Sequence, residues 1–263
     1  MTIVYGVLVV LAVSAAAVAG LILVQRFVSS ELREQHNDVA GFVYAGVGVV
    51  YAVLLALVVI AVWEQYQRAR ETVESEANAV AEIAWLAHRL PESERHQLQE
   101  QAQSYAREVV DQEWPLMEQG MDQGRGSPQQ GWDLLDDMRA TLQEVEPRTL
   151  AEQELYAEGL DQIQRLADAR RMRLVQATEG MPAVLWAVLI FGGVVTVGFT
   201  YLFGLGNAWA HRLMVVSLAA VIALALFTIG AMEYPFSGGA RVPTEAFELI
   251  LERFETSRLS DLS

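Results

Sequence analysis

The chain has 263 residues, 53% of them hydrophobic, yet its formal net charge is −15. Acidity on that scale argues against nucleic acid and against docking on anionic lipid. With no cysteine at all, disulfides, thiolate metal sites and cysteine nucleophiles are excluded together.

In chain order, the first element is an uncharged apolar run at residues 3–24. It lacks the positive n-region of a signal peptide and exceeds an h-region of 7–15 residues, so it is expected to be a retained first span. A second such run covers 39–62, and two more follow at 183–206 and 213–232. None of the four contains Asp, Glu, Lys or Arg. At 1.5 Å per residue each helix would reach about 30–36 Å, the hydrocarbon thickness of a bilayer. Soluble core helices of that length carry charge on the face that meets water. The expectation is therefore an all-α membrane protein with two transmembrane hairpins, residues 1–62 and 183–232.

Between the hairpins, residues 63–182 hold 24 acids and 12 arginines, so most of the net charge lies there. The second helix is expected to run on through Arg89, because Val73, Val80, Ile83, Ala84, Ala87 and Leu90 recur at three-to-four spacing. Pro91 stops it and suits the first turn of the next helix. That helix carries the stripe Ala102, Tyr105, Ala106, Val109 and Val110, up to a kink or stop at Trp114-Pro115. A glycine-rich loop spans 120–131, with Gly124, Gly126 and Pro128. A third helix follows with Leu134, Leu135, Met138, Leu142 and Val145, ended by Pro147. A fourth carries Leu150, Tyr156, Leu160, Ile163, Leu166 and Leu174. The tail, 233–263, is expected to hold an amphipathic helix from a Thr244 cap, with Phe247, Ile250, Leu251 and Phe254 packed on protein.

Four spans put both termini and the long polar segment on one side of the membrane. That side carries Arg68, Arg70, Arg165, Arg170, Arg171, Arg173, Arg241, Arg253 and Arg258, against Arg26, Arg33 and Arg212 opposite. Arginines near the span ends face the cytoplasm, so the polar segment and both termini are expected there, at the plasma membrane. All 18 basic residues are Arg, a composition expected of a GC-rich bacterial genome.

No catalytic residue, cofactor or metal site is expected. His36, His88, His96 and His211 are scattered, and no Walker A, GxSxG, HExxH or GxGxxG string occurs. Asp133, Asp136 and Asp137 are expected to be a solvated helix face. With no ionisable residue in mid-membrane, a coupled-ion or proton relay has no candidate, which favours a passive pathway.

Two strings say more. The second run ends in Val62-Trp63-Glu64-Gln65-Tyr66, and the last is followed by Tyr234-Pro235-Phe236-Ser237-Gly238 and then Phe247-Glu248. With their positions after spans two and four, these resemble the bestrophin-like family of bacterial membrane proteins, distant relatives of the bestrophin channels. The family motif residues here are Trp63, Gln65, Tyr66, Pro235, Phe236 and Gly238. The resemblance implies a homopentamer around one pore that conducts small inorganic ions. It also implies that the second span lines this pore, with the neck at Ala45, Val49 and Val53. Where the family's calcium cluster would follow the Pro-Phe turn, residues 239–245 hold a single acid, so calcium gating is not carried over.

If Val53 faces a pore, helical geometry puts Ile60, Glu64 and Glu71 within about 20° of it, at the cytoplasmic mouth. A ring of carboxylates there favours monovalent cations. The simpler role for Glu64 is an i,i+4 pair with Arg68. The alternative to a channel is a non-conducting membrane scaffold or sensor whose cytoplasmic helices bind a protein partner.

Overall fold

A computed structural model describes residues 2–29, 33–34, 37–120 and 129–261. The helices are α1 (Thr2–Phe27), α2 (Asn37–Ala87), α3 (Glu92–Glu108), a π-helical turn (Val109–Glu113) and α4 (Trp114–Glu118). They continue with α5 (Gln129–Gln143), α6 (Leu150–Thr178), α7 (Ala183–Thr200), α8 (Ala208–Met232) and α9 (Glu245–Asp261). No strand occurs among the described residues. His36 and the expected loop's Gly124, Gly126 and Pro128 lie outside them.

The chain divides into two compact units. One comprises residues 1–64 and 180–233; the other comprises 65–179 and 234–263. The long helix α2 contributes its first part to one and the remainder to the other.

In the apolar unit, α1, the first part of α2, α7 and α8 are each long and apolar enough to cross a membrane. The third apolar run is helical only to Thr200, short of the expected Gly206. Turn bonds from the Tyr201, Leu202 and Phe203 amides close the helix early. Asn207 then caps α8, its side-chain oxygen accepting from the amides of Trp209 and Ala210. The fourth helix therefore starts five residues before the apolar run, taking in His211 and Arg212. His211 is buried, with its Nε2 2.8 Å from the Thr200 carbonyl oxygen. Helices α1 and α8 pack through Ala17, Leu21, Val215 and Ala219. Val58, Val62, Leu189 and Ile229 join α2, α7 and α8.

In the polar unit, the periodic stripes meet as one core. Val73, Val80 and Ile83 of α2 pack with Ala102 and Tyr105 of α3, Leu135 and Met138 of α5, and Ile163 and Leu166 of α6. Helix α2 ends as expected near Pro91, in a turn of i→i−3 bonds from His88, Arg89 and Leu90. At Trp114-Pro115 the chain does not stop but stays helical to Glu118. A proline has no N–H and its ring crowds the carbonyl four residues back, and the π-turn widens the helix by one residue to take it in. Gly120, in the left-handed region at φ 84°, closes α4.

Helix α6 begins with a capping box that the periodicity alone did not flag: Thr149 Oγ1 accepts from the Glu152 amide and Glu152 Oε2 from the Thr149 amide. The tail stripe packs on protein. Phe247 and Ile250 are buried in the polar unit's core, with Leu251 and Phe254 against it.

Candidate functional site

Helix α2 has two contrasting faces in the apolar unit. Tyr51, Val58 and Val62 are buried. On the other side Ala45, Val49, Val53 and Ile60 are exposed, Val49 to 64%. Glu64 follows on that side and is exposed, as is Glu71 in the polar unit's part of the same helix. Within the apolar unit, Ala45, Val49, Val53, Ile60 and Glu64 therefore share an open face of α2.

The motif residues are distributed differently. Trp63 is half exposed. In the polar unit, Gln65 Nε2 donates to the Glu179 carbonyl at 3.1 Å. Tyr66 Oη donates to the Arg241 carbonyl at 3.2 Å, which ties the first string to the segment just after Gly238, 175 residues away. Pro235 and Phe236 are buried. The Phe236 ring stands edge-on to Trp114 at 5.7 Å, and Phe247 packs on the same indole at 6.4 Å. Two backbone bonds close the turn: Gly238 N–H to the Tyr234 carbonyl and Val242 N–H to the Pro235 carbonyl, each 2.8 Å. Arg241 reaches back to the Gly238 carbonyl and pairs with Glu118 at 3.0 Å. This string is thus a structural knot of the polar unit. Arg241 stands near the position where the family resemblance would have put acids. Among the described residues no group of three or more His, Asp and Glu converges as a metal-binding cluster.

One constellation escaped the sequence reading. Glu76, Glu113, Arg170 and Arg173 have fully buried side chains in the polar unit. Arg173 grips Glu76 through Nε at 2.6 Å and Nη2 at 2.9 Å, and Nη2 also reaches Glu113 at 2.7 Å. Arg170 holds both Glu113 oxygens, at 2.9 and 2.7 Å. Tyr105 Oη donates to Glu76 at 2.6 Å. The Arg170 guanidinium lies over the Tyr105 and Trp132 rings and directly against Gly131, where any Cβ would collide with it. Two positive and two negative charges cancel, as burial requires.

A signal for this cluster was present. Glu76 falls between Val73 and Val80 on the buried stripe of α2, and Arg170 and Arg173 continue the stripe of Ile163 and Leu166. Glu113 is the last residue of the π-turn, so the same widening that admits Pro115 also presents its carboxylate.

Burial alone would raise the Glu113 pKa, but Arg173 and Arg170 hold it below its ordinary value of 4.5. Burial and the nearby Glu76 carboxylate push Tyr105 well above the usual phenol range. A carboxyl with a depressed folded pKa binds fewer protons folded than unfolded. Its stabilisation is present above the unfolded value and is lost as pH falls through the folded one. The thermal midpoint of the full chain in detergent is therefore expected to stay level from pH 7 to about 5 and to fall below that. Glu113→Gln should lower the midpoint and flatten this acid slope. An unchanged slope would remove Glu113 from the explanation.

No curated protein matches the sequence. Solved structures do. A substituted form of a bacterial bestrophin homologue from Klebsiella pneumoniae aligns with a TM-score of 0.68 at 13% identity, covering 93% of this chain and 97% of that one. A second structure of a Klebsiella pneumoniae bestrophin homologue gives a TM-score of 0.65 at 14% identity, covering 94% and 96%. Identity that low speaks for the fold. The family model of the Bestrophin-like domain matches residues 11–247, from within α1 to the first turn of the tail helix, and the chain belongs to the bestrophin-like family.

Proposed function

We propose that this protein is an oligomeric ion channel, a homopentamer in the bacterial plasma membrane with both termini and the polar helices in the cytoplasm. Helix α2 lines its path, Ala45, Val49 and Val53 form the constriction, and Ile60, Glu64 and Glu71 form the cytoplasmic mouth. Small monovalent cations pass in preference to anions. Family membership supports the class. The observation that carries the reading is the open face of α2, opposite its buried face, which leads from small aliphatic side chains to a carboxylate. Aliphatic rings can gate by dewetting, and carboxylate rings select cations.

The test is current from purified protein in planar bilayers under a salt gradient. At close range in water one carboxylate acts on a passing ion by about 1 kcal/mol, so reversing it changes that interaction by about 2 kcal/mol, more than an order of magnitude in relative permeability. Glu64→Lys is expected to turn a cation preference into an anion preference, with Glu64→Gln between. A silent bilayer at both voltage signs would favour the non-conducting scaffold. The half-exposed Trp85, Met172, Val175 and Leu249 of the polar unit give that reading its surface.

A further inference from the structure

We propose that Tyr51 is a positioning residue, a rotational lock that seats α2 on α7 and thereby sets which face of α2 stays open. The inference rests on α2 lining the path, and it assigns a role to residues outside that path.

Tyr51 is buried in the middle of the uncharged stretch of α2, residues 39–62. At 100° per residue, Leu55, Val58 and Val62 lie within about 40° of it, whereas Val49, Val53 and Ile60 lie about 160–180° away. The covered face is the Tyr51 face, and the open face is its opposite. The ring lies against the α7 backbone at Gly192-Gly193. A Cβ at Gly192 would stand 2.6 Å from Tyr51 Cδ2. At Gly193 it would stand 3.0 Å from the Tyr51 hydroxyl and 3.2 Å from Ile222 Cγ2. Two adjacent glycines thus form a socket for the ring, with Ile222 of α8 as its far wall: a Cβ at Gly192 would push the ring aside, and one at Gly193 would crowd it.

The hydroxyl needs an acceptor in apolar surroundings, and it donates to the Leu189 carbonyl at 3.2 Å. A helix carbonyl has a second lone pair for this. Shape and hydrogen bond together define one angle of α2 about its axis. Aliphatic contacts such as Val58 on Leu189 would tolerate a range of angles.

The absence of cysteine makes the test direct. Single cysteines at Val49, Val53, Val58 and Val62 are introduced into the full chain in lipid vesicles. They are labelled with a charged, membrane-impermeant thiol reagent and separately with a lipid-soluble maleimide. With Tyr51 in place, positions 58 and 62 should resist both reagents, and 49 and 53 should react. Tyr51→Ala or Gly192→Leu should raise labelling at 58 and 62 several-fold and shift the permeability ratio. Gly192→Ala should do so more weakly, and Tyr51→Phe, which keeps the ring but loses the hydrogen bond, should fall between the parent and Tyr51→Ala.

Gly6 supplies the control. Its Cβ would lie 2.6 Å from a Phe227 ring carbon, an equally tight contact between α1 and α8 that does not involve α2. Gly6→Leu should lower stability without unmasking 58 or 62. Persistent protection of 58 and 62 in both the Tyr51→Ala and Gly192→Leu backgrounds overturns the lock, as does equal unmasking by Gly6→Leu. A silent protein in which 49 and 53 react only from the lipid phase would defeat the channel reading, while protection at 58 and 62 still decides the lock.

Discussion

Arg173→Leu is expected to destabilise the protein by about 3–5 kcal/mol, the cost of leaving buried charge without its partner. Arg173 makes three charged bonds, to Glu76 and Glu113, at zero exposure. Its removal leaves Glu76 with the Tyr105 hydroxyl and Glu113 with Arg170. The thermal midpoint of the full chain in detergent should fall by about 10 °C. Arg173→Lys should recover little, because an ammonium cannot reproduce the planar fork that spans two carboxylates. Adding Glu76→Leu to Arg173→Leu should recover part of the loss, since a matched apolar pair removes the stranded charge. An Arg173→Leu protein as stable as the parent would mean that water or local rearrangement screens these carboxylates.

Phe236→Ala carries the second large effect, about 3–5 kcal/mol from lost burial and the cavity left behind. The ring is fully buried between Trp114 and the tail helix, so its loss undermines the seat of Phe247 as well. Because the Tyr66–Arg241 bond lies beside the same turn, the tail should loosen as a piece. Limited proteolysis would show this as cleavage within 234–250 at a protease level that leaves the parent intact. Phe236→Leu should retain most of the stability. Phe236 therefore serves the fold, whereas Glu64→Lys should alter selectivity with little change in midpoint. The two strings that carry the family resemblance are thus split between packing and the proposed path.

Much of the fold was legible residue by residue. Uncharged runs of span length announce themselves locally, because a charge in hydrocarbon is costly at any position along the helix. The stripes of Val73 to Leu90 and of Ile163 to Leu174 likewise declared buried faces, and Pro91 declared a boundary. The exact end of α7 at Thr200 was not legible, since residues 201–206 are as apolar as the helix they follow and the boundary is set by turn bonds. Nor did Trp114-Pro115 reveal a π-turn, which depends on how the surrounding helices hold the widened segment.

The buried ion network marks the division most clearly. In isolation, Glu76, Glu113, Arg170 and Arg173 resemble the solvated acids and arginines around them, and partners 57–97 residues apart had to be found in space. Tyr51 is similar: its neighbours mark it as one more apolar position, and only its fit over Gly192 and Gly193 gives it a direction. The sequence by itself determined a helical fold with four helices long and apolar enough to cross a membrane and an acidic helical segment, because period and polarity are properties of short stretches. Tertiary structure decided which face of each helix is covered and which charges are buried, because both depend on pairs of residues that meet only when the chain has folded.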